Sequence, residues 1–459
     1  MPLLSRARKS GNISTTTNNR PNLNTRISLP FGMIPKTMKS DFIPFHRPSI
    51  GKEEVEAVQQ VLASKWLTTG PRAQQFEREF AQYIGCKYAL AVNSATAALQ
   101  LALDAIQLGP GDEVLLPSYT FTATAEVVTY FGARPVLCDS EPGGFNLDVA
   151  DAARRITNKT RAIIPVHVAG EPCDLEAIHT LAQANSLHVI EDAAHALPAT
   201  YRGRRIGAIS EMTAFSFYAT KTITTGEGGM LTTDREDYAQ RAAMMRLHGI
   251  SGDAWKRYAK NGSWYYEVHD AGYKLNLPDI LAALGQAQLK KADEFCRLRR
   301  AIAECYMRQF AALPELECPP SGGHAQDHSW HLFILRIRPH LLQIDRAAFI
   351  EELRELGIGT SVHFIPLHLH PYYARAYGYK PQDLPNAKDA YSRCVSLPIF
   401  PDMSEQEVQR VIECVLRVTS KYRRAVWALG EAEAGVVAFE PRPRAQQRRV
   451  VKPLDRRAS

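Results

Sequence analysis

Short β-branched runs alternate with helical segments between residues 88 and 218, and few folds accommodate such a pattern. The runs predicted as strands are residues 88–92, 113–116, 135–139, 161–168, 188–191 and 214–218. Helices are predicted between them, the first over residues 95–108. Such alternation is typical of a mostly parallel sheet with helices on both faces. We therefore predict an α/β fold in which a ligand binds at the carboxyl ends of the strands.

The flanking segments complete the predicted architecture. Amphipathic helices are expected at residues 52–62 and 72–84. The segments that follow the alternating region are predicted as helices over 279–298 and on to 313, a strand over 329–337, a helix over 345–356, a strand and turn over 359–368, and a closing helix over 404–418. This change of pattern predicts a large domain at residues 41–290 and a smaller α+β domain at residues 291–420.

Basic residues are concentrated at the two ends of the chain. Residues 1–40 contain seven Lys or Arg and no acidic residue, whereas residues 421–459 contain ten basic and four acidic residues. The net charge of +7 therefore leaves −6 on residues 41–420, which argues against a body that binds nucleic acid. We predict a disordered basic leader and a disordered basic tail. Residues 1–40 have two alternative explanations. Either the start codon has been placed too far upstream and Met38 is a better first residue, or the segment is an organelle transit peptide.

Length and cysteine content restrict the class of protein further. A chain of 459 residues with 45% hydrophobic content can form two or three domains. Its longest apolar runs are too short to span a bilayer, so we predict no membrane segment. The eight cysteines include no CxxC pair and no metal-ligand spacing, which is typical of a reducing compartment. We expect a cytoplasmic protein without a metal site.

A lysine follows the predicted strand at residues 214–218. Lys221 stands in a hydroxyl-rich segment that ends in Gly226, Gly228 and Gly229. A desolvated lysine amine can lose its proton and attack a carbonyl, and glycines let the backbone approach a flat ligand. The alternative is a solvated surface lysine.

Polar or aromatic residues follow three other predicted strands. Residues 91–99 form a strand end, a small polar turn and a helix start, where free N–H groups and hydroxyls bind phosphate, although an ordinary Ser/Thr cap is the alternative. Phe121 could stack on a planar ring or pack in the core. Asp192 directly follows an apolar strand, and a buried carboxylate there needs a partner such as a protonated pyridine nitrogen. His195 is close enough in sequence to reach the same ligand. The alternative is that Asp192 caps the next helix, but that role would not explain the nearby histidine.

These groups together match the requirements of pyridoxal 5′-phosphate. The cofactor needs a lysine to form a Schiff base, a carboxylate to keep its ring nitrogen protonated, and a polar turn to hold its phosphate. These parts are supplied by Lys221 with nearby Ser216, by Asp192, and by the polar turn within residues 91–99, each at a strand end. The sequence therefore predicts a pyridoxal-phosphate site.

Six motifs carry a resemblance to one family. They are Pro44-Phe45-His46-Arg47-Pro48, Trp66-Leu67-Thr68-Thr69-Gly70-Pro71, Gly111-Asp112-Glu113-Val114, Ile164-Pro165-Val166-His167-Val168-Ala169-Gly170, Glu191-Asp192-Ala193-Ala194-His195 and Gly226-Glu227-Gly228-Gly229. With these motifs the chain closely resembles the DegT/StrS family of nucleotide-sugar aminotransferases, whose members have the fold-type-I pyridoxal-phosphate architecture. The resemblance extends from about residue 43 to about residue 418.

The resemblance implies a role for each candidate residue. Lys221 would be the Schiff-base lysine and proton shuttle, and Asp192 the partner of the pyridine nitrogen. The other cofactor contacts would be His195 with the ring 3′-oxygen, Phe121 stacked on the ring, and Ala95, Thr96 and Ser216 with the phosphate. The family-typical positions near the substrate are those of His331 and His363.

The resemblance also implies an obligate homodimer with shared active sites. Gly272-Tyr273-Lys274-Leu275-Asn276-Leu277 matches the segment that a neighbouring subunit lends to the phosphate site, and Lys274 stands where many members have Asn. This version looks more like the aminotransferases that act on the 4-keto carbon of UDP-pentoses and UDP-hexoses, as in the 4-amino-arabinose pathway. Ala95 in place of Gly, Thr222 in place of Asn and Phe121 in place of Trp leave the exact sugar open.

The activity implied is amino-group transfer from an amino acid, glutamate, to a keto group, at C4, of a nucleotide-linked sugar. The alternative within the family is a sugar dehydratase, in which a histidine replaces the lysine, so Lys221 argues against it. The alternative from another class is a cofactor-binding or scaffold protein without catalysis. Intact Lys221, Asp192 and Ser216 argue against that function.

Overall fold

The computed structural model describes residues 42–250, 265–319 and 328–424. The predictions for residues 1–40, and those for the tail from residue 425 onward, lie outside the described residues. No helix within the described ranges combines the length and the apolar composition needed to cross a membrane.

Helices and short strands succeed one another along the described part of the chain. The helices are α1 (Lys52–Ser64), α2 (Pro71–Ile84), α3 (Ala95–Ala105), α4 (Ala123–Thr129), α5 (Val149–Arg155), α6 (Leu175–Ala184), α7 (Glu236–Met245), α8 (Asp279–Leu289), α9 (Ala292–Phe310), α10 (Arg346–Glu355), α11 (Pro371–Tyr377), α12 (Pro385–Arg393) and α13 (Glu405–Tyr422). The strands are β1 (Tyr88–Val92), β2 (Glu113–Pro117), β3 (Arg134–Cys138), β4 (Thr160–Ile163), β5 (His188–Asp192), β6 (Thr200–Tyr201), β7 (Arg204–Arg205), β8 (Met212–Ser216), β9 (Gly229–Thr233), β10 (Leu316–Glu317), β11 (Phe333–Ile337) and β12 (Cys394–Leu397).

A seven-stranded sheet forms the centre of the fold, in the order β1-β9-β8-β5-β4-β2-β3. All neighbouring strands are parallel except β9, which is antiparallel to both β1 and β8. The predicted α/β fold with a mostly parallel sheet between helices is therefore confirmed.

Burial on both faces explains why these strands read as nearly continuous apolar runs. In β2, Val114 and Leu116 belong to one hydrophobic cluster, whereas Leu115 belongs to the cluster on the other face. In β5, Ile190 and Val189 divide in the same way. A parallel sheet covered by helices on both sides requires such apolar residues at successive positions.

The antiparallel strand β9 brings a glycine to the carboxyl edge of the sheet. Its first residue, Gly229, pairs with Val92 at the end of β1 and with Ser216 at the end of β8. A Cβ atom on Gly229 would lie 2.5 Å from the carbonyl carbon of Ser94 and 2.7 Å from the nitrogen of Ala95. Glycine at this position therefore lets the start of α3 pack directly against the sheet.

A second sheet, in the order β10-β11-β12, is antiparallel and has a hydrophobic cluster of its own. Helices α9, α10 and α13 supply Tyr306, Phe349 and Val415 to this cluster, and β11 supplies Phe333. Helix α13 starts with a capping box between Ser404 and Glu407 and continues past residue 418, its predicted end. The domain boundary at residue 290 stays a prediction.

Several predicted elements are wrong in part; the strand predicted over residues 329–337, for example, begins only at Phe333. The helix predicted over residues 279–298 breaks between α8 and α9, where Lys291 forms ion pairs with Glu53 at 3.0 Å and with the buried Glu54 at 2.8 Å. The strand predicted over residues 161–168 ends at Ile163, because Pro165 has no N–H to donate to a neighbouring strand.

Of the strand and turn predicted over residues 359–368, the turn is present but the strand is not. That segment forms an isolated bridge between Ser361 and Ser396, followed by a 3-10 turn at Leu367–Leu369. His363 and Phe364 are adjacent, yet both line the same cavity. A regular strand would direct neighbouring side chains to opposite faces, so irregular backbone is required here.

Candidate active site

A cavity of about 530 Å³ opens at the carboxyl edge of the central sheet. It contains all of the predicted site residues except one: its lining includes Ala95, Thr96, Phe121, Asp192, His195, Ser216, Lys221, His331 and His363. Strands β1, β2, β5 and β8 end at this edge, so residues distant in sequence meet there. The exception, Lys274, is not part of the lining.

Lys221 lies in the hairpin that connects β8 to β9. The neck of this hairpin is closed by hydrogen bonds from the N–H of Phe217 to the carbonyl of Gly228 at 2.8 Å and from the N–H of Thr225 to the carbonyl of Phe217 at 2.9 Å. Burial lowers the pKa of the Lys221 amine to about 8, and the charge of Asp192 opposes this shift. Near neutral pH the amine is therefore available in its neutral, nucleophilic form far more often than an exposed lysine.

Asp192 ends β5 and is 5% exposed. The hydroxyl of Thr124 donates to its Oδ2 at 2.8 Å, and the N–H of Ala194 donates to its Oδ1 at 3.1 Å. Within the described ranges this carboxylate forms no ion pair. Burial raises the pKa of Asp192, while the two hydrogen bonds and Lys221 oppose that rise. A protonated pyridine nitrogen is a partner that such a buried carboxylate accommodates.

The start of α3 forms the polar end of the cavity. The hydroxyl of Ser94 caps the helix by accepting from the N–H of Ala97 at 3.1 Å. The N–H groups of Ala95 and Thr96 have no acceptor inside the helix, because they belong to its first turn. These donors, the positive end of the helix and the hydroxyl of Ser216 face one space, and a phosphate fits such a site.

Phe121 lies over the cavity as an exposed aromatic residue. Its side chain is 61% exposed, and its ring centroid is 6.2 Å from that of Phe364. An aromatic ring that borders a cavity without being covered is suited to stacking on a planar ligand.

Three histidines form the wall that faces Lys221. The ring centroids of His195 and His331 are 4.4 Å apart, and Phe364 stacks on His195 at 5.6 Å. Burial and the charge of Lys221 hold the pKa of His195 well below its usual range, and burial does the same for His331 and lowers the pKa of His363 to about 4. All three imidazoles are therefore neutral at physiological pH.

Two of these histidines offer defined hydrogen-bonding groups. The N–H of Ala169 donates to Nδ1 of His195 at 3.3 Å, so the ring proton of His195 lies on Nε2, where it can donate. The Nδ1 atom of His331 is buried and has no hydrogen-bond partner among the described residues. A bound ligand can supply that partner.

Lys274 lies in a segment held against the end of β1, outside the cavity. The N–H of Asn93 donates to the carbonyl of Leu275 at 2.8 Å, and the amide of Asn276 donates to the hydroxyl of Thr69 at 2.6 Å. The Lys274 amine donates to Oδ1 of Asn276 at 2.6 Å. The chain's own cavity is therefore formed without this lysine.

Sequence reasoning missed Thr124 and Phe364. Thr124 is buried in the first turn of α4, 68 positions before the carboxylate that it contacts. The one signal in the sequence was a threonine among apolar residues at the start of a helix that follows a strand. Phe364 was hidden in a segment predicted as a strand, and no sequence pattern identified it as part of the cavity wall.

The described residues fit pyridoxal phosphate. A desolvated lysine, a buried carboxylate without an ion pair, an exposed aromatic ring and a helix start with free N–H donors surround one cavity. Each of these groups matches one part of the cofactor.

Comparison with known proteins gives a consistent result. Residues 48–416 match the model of the DegT/DnrJ/EryC1/StrS aminotransferase family. The spore coat polysaccharide biosynthesis protein SpsC of Bacillus subtilis is 48% identical over 378 residues, which cover 82% of this chain and 97% of that protein.

Solved structures agree with this match. Spr1654 of Streptococcus pneumoniae, a proposed sugar aminotransferase, has been solved in PLP and PMP forms. Each form is 32% identical to this chain, with a TM-score of 0.76 over 83% of it. The match covers 99% of the PLP form and 98% of the PMP form. Helicobacter pylori PseC, an aminotransferase involved in the biosynthesis of pseudoaminic acid, is 29% identical, with a TM-score of 0.76 over 83% of this chain and all of that one.

Proposed function

The chain belongs to the DegT/DnrJ/EryC1/StrS aminotransferase family, and on that basis we propose that it transfers the amino group of L-glutamate to C4 of a nucleotide-linked keto sugar. It is a transaminase of the sugar aminotransferase type, and its cofactor is pyridoxal 5′-phosphate. Family membership gives the sugar aminotransferase activity, whereas the amino donor, the nucleotide on the sugar and the carbon that is aminated are what we propose in addition. The names of SpsC and PseC support a place in the synthesis of a surface polysaccharide or a related glycan.

One observation carries the proposal: Lys221, with its pKa lowered to about 8, shares a cavity with the buried Asp192. When bound, pyridoxal phosphate supplies an electron-withdrawing ring that stabilises negative charge at the α-carbon of an amino acid. Asp192 would keep the ring nitrogen protonated. Lys221 would move a proton between the α-carbon of the donor and C4′ of the cofactor, acting first as base and then as acid.

The remaining residues would hold the cofactor and the substrates. Ala95, Thr96 and Ser216 would bind the phosphate, Phe121 would stack on the ring, and His195 would donate from Nε2 to the ring 3′-oxygen. On the substrate side, the free Nδ1 of His331 and the neutral ring of His363 suit the hydroxyl groups of a sugar better than a carboxylate, because neither imidazole carries a charge.

We also propose a homodimer in which Lys274 of a second copy completes the phosphate site. The exclusion of Lys274 from its own cavity supports this arrangement. A mixture of Lys221→Ala and Lys274→Ala subunits tests it, because a mixed dimer would contain one site with both lysines intact. Activity that appears only on mixing would support shared sites, and no recovery despite confirmed mixed dimers would contradict them.

A cytoplasmic location is part of the same proposal. All eight cysteines are free, as is usual for proteins in a reducing compartment.

Absorption spectroscopy of the purified protein tests the central claim. We expect a band of lysine-bound cofactor in the wild type that L-glutamate bleaches, and no such band in Lys221→Ala. A wild type that binds the cofactor but does not respond to glutamate would exclude that donor. The acceptor is then tested by supplying UDP-4-keto sugars to the glutamate-treated protein, where recovery of the original band reports amino transfer.

A further inference from the structure

Two threonine hydroxyls connect the cavity wall to Asp192. The Oγ1 atoms of Thr120 and Thr124 are 2.8 Å apart, and Thr124 Oγ1 is 2.8 Å from Oδ2 of Asp192. Thr120 is 2% exposed and lines the cavity, whereas Thr124 has no exposed surface. We propose that Thr124, oriented by Thr120, is a positioning residue that sets how strongly Asp192 holds the proton of the cofactor ring nitrogen.

The direction of both hydrogen bonds follows from the number of hydrogens available. An ionised carboxylate only accepts, so Thr124 donates its single hydroxyl hydrogen to Asp192. Thr124 then has no hydrogen left for Thr120, and Thr120 must donate to Thr124. The chain of donors therefore runs from Thr120 through Thr124 to the carboxylate.

The consequence concerns the proton shared between Asp192 and the ring nitrogen. A hydrogen bond donated to a carboxylate stabilises its charged form and weakens its attraction for a further proton. With Thr124 present, the proton stays on the ring nitrogen and Asp192 stays ionised. Without that hydroxyl, Asp192 attracts the proton more strongly, the ring nitrogen loses positive charge, and the ring withdraws electrons less well. Thr124 thus acts through Asp192 and does not touch the reacting atoms.

The alternative is that Thr124 only packs the start of α4. The two explanations differ in what a change of side chain does. Valine has nearly the same shape as threonine but no hydroxyl, so Thr124→Val removes the hydrogen bond and keeps the packing. Serine keeps the hydroxyl, so Thr124→Ser should restore the wild-type properties that valine abolishes.

The test uses full-length protein loaded with pyridoxal 5′-phosphate that carries 15N in its ring. Solid-state 15N NMR reports directly whether the ring nitrogen is protonated. We expect a protonated ring nitrogen in the wild type and in Thr124→Ser, a shift toward the neutral form in Thr124→Val, and a smaller shift in the same direction in Thr120→Val. The rate of the half-reaction with L-glutamate should fall roughly 10-fold to 100-fold in Thr124→Val, the range expected for one hydrogen bond to a charged group.

A matched control is available on the neighbouring strand. The hydroxyl of Thr213, which is fully buried, donates at 3.2 Å to Oε1 of Glu191, a carboxylate outside the cavity lining. Thr213→Val therefore removes a comparable buried hydroxyl and should leave the 15N shift unchanged. An unchanged shift in Thr124→Val, or an equal shift in Thr213→Val, would overturn the inference.

The inference rests on the cofactor and not on the donor or the sugar proposed above. The 15N measurement needs no substrate, so its outcome stands even if glutamate or the 4-keto sugar proves wrong. Should Thr124→Val fail to load cofactor, the pair Thr120→Val and Thr124→Ser still tests the chain of donors. A normal 15N shift in Thr120→Val would then contradict it.

Discussion

The imidazole of His167 and the carboxylate of Glu191 share a hydrogen bond of 2.7 Å, and neither side chain has exposed surface. The N–H of Cys173 donates to Nδ1 of His167 at 3.0 Å, so the ring proton lies on Nε2 and points to Glu191. Glu191 precedes Asp192 on β5 and faces the opposite side of the sheet, as alternation along a strand requires. This pair therefore stabilises the carboxyl end of β5 on the face of the sheet opposite Asp192.

Replacing His167 should destabilise the protein strongly. His167→Leu leaves the buried Glu191 carboxylate without its histidine donor, and we expect a loss of about 1.5–3 kcal/mol in the free energy of unfolding, the range for a hydrogen bond to a charged group. Urea denaturation measures it. Lys52→Ala, which breaks an exposed ion pair with Glu56, is the control and should cost less than about 1 kcal/mol.

The same pair predicts a pH dependence of stability. The hydrogen bonds from His167 and Ser210 hold the pKa of Glu191 below its ordinary value of 4.5, despite burial, which raises it. A depressed carboxyl pKa contributes stability that is complete above pH 4.5 and is lost as the pH falls through the folded-state value. In His167→Leu burial is no longer offset by the histidine and raises the pKa of Glu191, so the difference in stability between wild type and variant should grow as the pH rises from acid toward neutrality and should narrow in acid. A difference that widens in acid would contradict this account.

Lys221 should determine how fast the cofactor-free protein takes up pyridoxal phosphate. Only the neutral amine attacks the aldehyde, so the rate should rise roughly tenfold per pH unit below the lysine pKa and level off above it. With a pKa of about 8, the plateau should begin near that pH. Stopped-flow absorbance measures the rate, and Lys221→Arg should show no such reaction. A rate still rising at pH about 10, where an exposed lysine titrates, would mean that burial does not lower this pKa.

Gly229→Ala should damage the polar end of the cavity, where we propose that the phosphate binds. The added methyl would lie 2.5 Å from the backbone of Ser94, so the start of α3 must move. We expect a loss of stability of about 1–3 kcal/mol together with weaker cofactor binding. Thermal unfolding with and without cofactor separates the two effects. Gly109→Ala, where the added methyl meets no atom within 4 Å, is the control and should change neither quantity.

Asp279 should stabilise the start of a helix to which it does not belong. Its carboxylate accepts from the N–H groups of Gly70 at 2.8 Å, Ala73 at 2.9 Å and Arg72 at 3.1 Å, at the beginning of α2. Asp279→Ala should cost about 1–3 kcal/mol for each donor left unsatisfied in the interior. Asp345→Ala, which removes the exposed cap of α10, should cost only about 1 kcal/mol. Equal losses in the two variants would contradict the role of burial.

The sequence predicted six of the seven strands of the central sheet, because each of these strands is specified by its own residues, but it did not predict the antiparallel strand β9 (Gly229–Thr233). The prediction for β1 matches its observed bounds, and that for β5 stops one residue short, since apolar runs of this length between polar turns have few other solutions. The gathering of Lys221, Asp192 and His195 at one edge followed from the parallel order of the strands.

The errors arose where distant residues decide the local structure. The break before α9 depends on ion pairs between Lys291 and the acidic start of α1, more than two hundred positions earlier. The irregular segment around His363 and Phe364 depends on the cavity that it closes. The hydrogen bond from Thr124 to Asp192 joins two strand ends that no local pattern connects.

The cavity lining extends along the chain from Phe45 to Phe364. During synthesis, the hairpin that carries Lys221 and the start of α3 leave the ribosome long before His363 and Phe364. The complete cavity wall therefore cannot form around a bound cofactor until residues 363 and 364 have been synthesised.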